Sequence, residues 1–260
     1  PYHLYRCESC GIVFLSPLPT AEELDELYSE VYYGKERRKF SSIIEGTIAA
    51  LTLLKWKRLR PLLRPGDRLL DIGCGRGTLV HMARAAGIEA YGLERHFPGA
   101  PSSPYIFYHD LAECKFPEGH FQVVVLWHVL EHLTDPVAAL REIHRVLRPG
   151  GWLSVAVPNF GGAQARASGG DWFHLDLPRH FWQFEPQSLE KMLDTGGFRI
   201  TRRATLSLEY DCYGTLQSWM NRIAHDENRL YARLKGRSAA SIGGQLAELA
   251  LASVLAPPAL

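Results

Sequence analysis

Short continuous apolar runs alternate with stretches of helical periodicity along most of the chain. The runs are Leu69-Leu70 closing on Asp71, Tyr91-Gly92-Leu93 closing on Glu94, Tyr105 to Tyr108, Phe121 to Trp127, and Trp152 to Val157. Phe121 to Trp127 is apolar throughout except for Gln122, as a parallel strand covered on both faces should be. Between the runs, apolar residues recur at three- and four-residue intervals. Leu79 to Ala86 forms one such segment. Asp135-Pro136 to Leu147 forms another, with Leu140, Ile143 and Leu147 on one side. A third opens at Glu185-Pro186, turns Leu189, Met192 and Leu193 inward and ends at Gly196-Gly197. Strands alternating with helices predict an α/β protein with a doubly wound, mostly parallel sheet.

The flanks read differently. Thr20 and Glu23 make a capping box before a short helix from about Ala21 to Tyr28. Ile44, Ile48, Leu51, Leu59 and Leu62 place a longer helix before Pro65-Gly66, with a basic last part running from Lys55 to Arg64. Between Arg95 and Pro104, three prolines and Gly99 exclude a regular helix and predict a short crossover. Residues 198–208 read as a sixth strand, and no seventh is found; a seventh is expected beyond Leu260. The tail turns helical, with Tyr213, Leu216, Met220, Ile223, Leu230 and Leu234 on one face. The organisation expected is a ribbon-like segment over 1–34 that also covers the cofactor, a helical segment over 35–64, a core over 65–208 with a lid at 159–185, and a helical tail over 209–260.

Composition narrows the classes. Lys plus Arg is 29 against 28 for Asp plus Glu, so nothing in the overall charge argues for nucleic acid as a partner. The five cysteines are too few for a disulfide scaffold, and a reducing, cytoplasmic setting is expected. No apolar run is long enough to span a membrane. Cys7-Glu8-Ser9-Cys10-Gly11 has the form of half a zinc ribbon. A structural zinc needs four ligands; two are present, the others are expected upstream of Pro1, and a reduced pair at a hairpin turn serves as well. The basic, then Ala- and Leu-rich tail suits a helical cap, a contact with a second copy, or a lipid surface that presents a lipid-linked substrate.

The chemistry gathers at Asp71-Ile72-Gly73-Cys74-Gly75-Arg76-Gly77. A strand ends in an acid, glycines turn the chain, and a helix begins with its free N–H groups facing the loop. Such a loop alone also suits a tight turn with no ligand. Glu94, at the tip of the next strand, can accept hydrogen bonds from both hydroxyls of a ribose. The acid before the glycines and their G-x-G-x-G spacing resemble the class I S-adenosylmethionine-dependent methyltransferases more than the dinucleotide folds, whose fingerprint is G-x-G-x-x-G. The physics agrees, since carboxylates favour a cofactor that carries an ammonium and a sulfonium. The resemblance implies S-adenosylmethionine as cofactor. It puts Asp71 near the methionyl end, the loop residues Gly73, Cys74, Gly75 and Gly77 against the cofactor, and Glu94 on the ribose. It also puts Asp110 and Leu111 on the adenine and the aromatic Tyr33 over the site, and gives Trp127, just past the fourth strand, to the same pocket.

Trp127-His128-Val129-Leu130-Glu131-His132, followed by Asp135-Pro136, is similar to methyltransferases that act on quinone precursors, sugars and other small molecules. His128 and His132 share a helical spacing, but the order is not H-E-x-x-H and no third ligand stands nearby, so no metal is assigned. His132 is the first candidate for a general base, and His128 a candidate for cofactor contact. After Pro158 comes a glycine-rich stretch and then Trp172-Phe173-His174-Leu175-Asp176-Leu177-Pro178-Arg179-His180, which resembles one bacterial branch of these enzymes. It has no regular amphipathic pattern, and it supplies His174 and His180 as further catalytic candidates. His174, Asp176 and Arg179 bonded to one another would explain the same residues as a brace for the loop. The expected reaction is methyl transfer to the oxygen or carbon of a sugar, a quinone-like phenol or a lipid-linked metabolite. An NAD-dependent oxidoreductase and a methyltransferase-like domain that only binds are the rival readings.

Overall fold

The computed structural model describes residues 2–27, 42–95, 103–205 and 207–224. Two sheets organise it. The larger has five parallel strands in the order β5-β4-β3-β6-β7: β3 (Arg68–Ile72), β4 (Glu89–Leu93), β5 (Ile106–Phe107), β6 (Phe121–Trp127) and β7 (Leu147–Ala156). Side chains alternate between the faces of each strand, and both faces are apolar. On one face Leu69, Ala90, Val123 and Val125 pack against α2 (Ser42–Leu59) and α3 (Thr78–Ala85), which contribute Trp56, Leu59, Leu79, Val80 and Ala83. On the other, Leu70, Leu93, Val124 and Leu126 meet Leu140, Ile143 and Val146 of α4 (Pro136–Val146) and Leu193 of α6 (Pro186–Thr195). The doubly wound sheet expected from the alternating runs is therefore present.

The helix ends follow local chemistry. Asp135 caps α4, its Oδ1 accepting from Ala138 N at 2.8 Å, and Pro136 takes the first position, where no amide proton is needed. Thr20 and Glu23 form the capping box of α1 (Ala21–Leu27), with Thr20 N donating to Glu23 Oε2 at 2.8 Å and Glu23 N to Thr20 Oγ1 at 3.3 Å.

The smaller sheet joins segments distant in sequence. β1 (His3–Arg6) and β2 (Val13–Ser16) pair antiparallel around the Cys7–Cys10 turn, and β8 (Trp182–Gln183) from the lid pairs with β2. The ribbon and the end of the lid thus share one sheet. The lid also holds a short helix, α5 (Ala163–Ser168), and two single 3-10 turns. Helix α7 (Leu208–Ala224) braces it: Phe173 N donates to Ser218 Oγ at 2.9 Å, Gln164 Nε2 to Thr215 Oγ1 at 2.8 Å, and Asn221 Nδ2 to Asp171 O at 3.2 Å.

Three expectations change. Residues 198–205 form no strand, and Leu208 already belongs to a helix. A terminal hairpin strand needs its partner for a hydrogen-bond ladder, and the described chain supplies none. The third strand is shorter than expected, Ile106–Phe107 only. The stretch between Gly162 and Gly169, expected to be mobile or tightly bent, contains α5. Tyr33, most of the proline-rich crossover and the tail beyond residue 224 lie outside the described residues, and with them the expectations of an aromatic cover, a lipid surface and a second copy. Among the described residues no helix is long and apolar enough to cross a membrane.

Candidate active site

β3 and β4 run side by side, with Asp71 opposite Gly92 and Ile72 opposite Leu93, so the glycine loop and Glu94 leave the sheet together. Gly73 N and Cys74 N both donate to Leu93 O, at 2.8 and 3.0 Å, which fastens the loop to β4. Gly73, Gly75 and Gly77 all have positive φ, at 73, 56 and 73°. They are left-handed for different reasons. A Cβ on Gly73 would lie 2.2 Å from Val129 Cγ2, and one on Gly77 would lie 2.6 Å from Ile106 Cδ1. A Cβ on Gly75 would meet nothing within 4 Å. Gly73 and Gly77 therefore let the loop lie against its neighbours, and Gly75 presents bare backbone to open space. The Cys74 side chain turns inward, in the space a Cβ on Gly92 would need, and burial pushes its thiol far up. What Cys74 offers a ligand is its backbone.

Two carboxylates face this loop. Glu94 Oε2 accepts from Gly75 N at 2.6 Å, and Oε1 from Arg95 N at 2.9 Å. Asp71 is only 6% exposed, and burial, followed by the negative charge of Glu94, pushes its carboxyl up to about 8. Lys55 pulls the other way. Its Nζ stands 5.2 Å from the centre of the Trp127 ring, whose Nε1 donates to Ser154 Oγ at 3.0 Å. Two acids that repel each other at a bare-backbone loop form a site completed by a cation. A ligand that carries an ammonium, a ribose and a carboxylate fits Asp71, Glu94 and Lys55 in turn. Asp110 is exposed on the turn after β5, its N donating to Glu113 Oε2 at 3.2 Å, and Leu111 is half-buried against the core.

The second group sits past β6. His128 has φ of 58°, a left-handed backbone at a residue with a Cβ, held by its N–H to Ala156 O at 2.8 Å. Its Nδ1 lies 3.4 Å from Glu131 Oε1, and the Glu131 side chain is fully buried. Burial would raise the Glu131 carboxyl, but His128, with weaker help from His132 and His180, holds it well below the usual range. The lid closes over this turn. Phe181 N donates to Glu131 O at 2.8 Å, Trp182 Nε1 to Leu133 O at 2.7 Å, and His132 Nδ1 to Arg179 O at 2.9 Å. The rings of His132 and His180 meet edge to face, 4.5 Å apart. Burial, then the neighbouring His180, pushes His132 down to about 4. Asp176 is bound by the Arg179 guanidinium and lies 3.7 Å from His180 Nε2. Burial works to raise its carboxyl, and His180 and Arg179 hold it low.

Of the four candidate histidines, the fold brings His128, His132 and His180 around Glu131. His174 stands apart from that group. Its Nε2 packs over Gly214 of α7, beside Trp172, and it contributes only its carbonyl to His180 Nδ1, at 2.8 Å. A separate cleft of about 640 Å³ between the ribbon and the lid is lined by Leu4, Arg6, Phe160, Arg166 and Glu185 among others; neither the glycine loop nor the His128–Glu131 turn reaches it. Two residues of the site had no role in the sequence reading. Glu131 carried a signal, an acid between two histidines in an otherwise apolar stretch. Lys55 carried none, because its nearness to Asp71 exists only in the folded chain.

The comparisons with known proteins agree with this geometry. A family model described as a methyltransferase domain matches residues 44–203. The 27-O-demethylrifamycin SV methyltransferase of Amycolatopsis mediterranei is 32% identical over 166 residues, 56% of this chain and 60% of that protein. A ubiquinone biosynthesis O-methyltransferase of Xanthomonas oryzae is 31% identical over 177 residues, 60% of this chain and 70% of that protein. The crystal structure of the cyclase SpnF superposes with a TM-score of 0.53 at 22% identity, covering 92% of both chains. This chain spans between about half and 60% of the first two curated relatives it matches. With more than half of its length under one family model, the chain belongs to the methyltransferase domain family.

Proposed function

We propose that the protein transfers a methyl group from S-adenosylmethionine to a small-molecule acceptor, most naturally to a hydroxyl of a phenol- or quinone-like metabolite. The observation that carries this reading is the pair of mutually repelling acids, Asp71 and Glu94, at a glycine loop whose Gly75 backbone is open. Relatives named as methyltransferases of a rifamycin precursor and of ubiquinone biosynthesis support the choice of acceptor class. When bound, the cofactor supplies the electrophilic methyl carbon of its sulfonium. Asp71 would hold the methionyl ammonium, Lys55 its carboxylate and Glu94 the ribose, with Asp110 and Leu111 on the adenine side. Trp127 walls the pocket, and the lid excludes water. Most of the rate then comes from holding the acceptor in line with the methyl group.

His128 is best placed to receive the acceptor proton. Its side chain is 20% exposed and its Nδ1 faces the buried carboxylate of Glu131, which orients the ring. His132, first choice from the sequence, is tied to Arg179 O and, at about 4, is too weak a base to lead.

Calorimetric titration of the chain with S-adenosylmethionine, its demethylated product and NAD in parallel tests the cofactor assignment. The first two are expected to bind and to lose affinity in Glu94→Ala. Binding of NAD alone refutes the reading. No binding by a folded chain refutes it as well.

A further inference from the structure

Besides His128, the turn after β6 and the lid place two further imidazoles beside the buried carboxylate of Glu131. One ligand atom each from Glu131, His132 and His180 lies within 4.8 Å of the others. A cation held at bond lengths near 2.1 Å sets ligand separations of roughly 3.4 Å, so a small inward shift closes the cluster. We infer that Glu131, His132 and His180 form a binding site for one divalent first-row transition cation, with the lid supplying the third ligand.

The tautomers support it. A carbonyl oxygen only accepts, so His132 Nδ1, 2.9 Å from Arg179 O, and His180 Nδ1, 2.8 Å from His174 O, must carry protons. Each neutral ring then has its lone pair on Nε2. Ring nitrogens fixed in this way by backbone carbonyls are the usual support of metal-bound histidines. Glu131 supports it independently. Its side chain is 0% exposed, and neither carboxylate oxygen has a hydrogen bond among the described residues. His128 Nδ1 approaches Oε1 at 3.4 Å. A buried carboxylate whose near partner is one imidazole at 3.4 Å is only partly compensated, and a further cation beside it is favourable. Asp176, the other acid near His180, is already bound by Arg179.

The donor set selects the metal. Two imidazoles and one carboxylate suit zinc, cobalt, iron or manganese, and calcium and magnesium prefer oxygen alone. Three protein ligands leave a position for an exchangeable oxygen, from water or from an acceptor hydroxyl. The spacing of His128 and His132 gave no hint of this set, because the third ligand lies far along the chain and arrives only when Phe181 N binds Glu131 O. The site does not depend on the methyl-transfer reading, so the two stand or fall separately.

Cobalt(II) titration of the metal-stripped C7S/C10S variant is the test. That background removes the thiol pair as a competing site. The expected result is one equivalent bound, with visible d–d absorption and no thiolate charge-transfer band. His180→Ala and Glu131→Gln are each expected to weaken binding by more than about 10-fold, with circular dichroism and melting unchanged. Glu131→Gln keeps the side-chain shape and decides alone if the alanine variant does not fold. His174→Ala should leave binding intact. The proposal is overturned if the folded C7S/C10S protein takes up no cobalt, or binds it equally well with Glu131→Gln.

Discussion

Replacing single glycines of the loop by alanine separates packing from ligand approach. At Gly73 the new Cβ lies 2.2 Å from Val129 Cγ2 and φ is +73°. A left-handed backbone costs an L-residue about 1–2 kcal/mol. Overfilling a packed contact costs about 1–3 kcal/mol more, and Val129 has few rotamers by which to retreat. Gly73→Ala should therefore lose roughly 2–5 kcal/mol of stability. At Gly75 the Cβ meets nothing within 4 Å and φ is +56°, so only the backbone term applies. Gly75→Ala should lose about 1–2 kcal/mol, and its larger effect should fall on cofactor affinity, because the methyl enters the space the ligand needs. Urea denaturation gives the stabilities, and titration of the folded variants gives the affinities. Adding Val129→Ala to Gly73→Ala should recover the packing share, a coupling of roughly 1–3 kcal/mol. Equal destabilisation at both glycines, or no recovery with Val129→Ala, would refute the reasoning.

Other perturbations follow from the same geometry. Asp71 titrates at about 8, so below that pH the neutral acid prevails, and a cationic ligand must draw its proton off. Binding of S-adenosylmethionine at pH 7 should therefore release a proton, seen as a heat that varies with buffer ionisation enthalpy, and affinity should weaken as pH falls below 8; Asp71→Asn should abolish the proton release. Asp135→Ala removes the cap on Ala138 N and should cost about 1 kcal/mol, lowering the melting temperature by about 2–4 °C; an unchanged melt would contradict the cap. Hydrogen bonds from Ser9 and then from Cys10 hold the Cys7 thiol down to about 6, so iodoacetamide at pH 7 should label Cys7 before the half-buried Cys74, whose thiol is pushed far up. Peptide mass spectrometry reads the order, and Ser9→Ala should slow the labelling of Cys7.

The sheet core was legible from the sequence because its signals are local. Apolar runs, the Asp135-Pro136 start and the Thr20–Glu23 box each act within a few residues, and the structure has all of them. The acid–glycine loop and the acid at the next strand tip were legible for the same reason. Parallel strands of similar length bring their carboxyl ends together, and Asp71 and Glu94 stand at two such ends. The sixth strand was misread because alternation marks a segment able to form a strand, and a ladder also needs a partner.

What only the tertiary structure decided is which distant residues share a site. Sequence determined that this chain folds as a doubly wound methyltransferase-type domain with an acidic glycine loop. It did not determine that Lys55 faces Asp71, that the ribbon and the lid form one sheet, or that His180 stands against His132 over Glu131. Periodicity carries information over one or two turns of chain. Contacts between elements depend on how the sheet aligns its strand ends and how the lid docks, and those are set by the packing of the whole molecule.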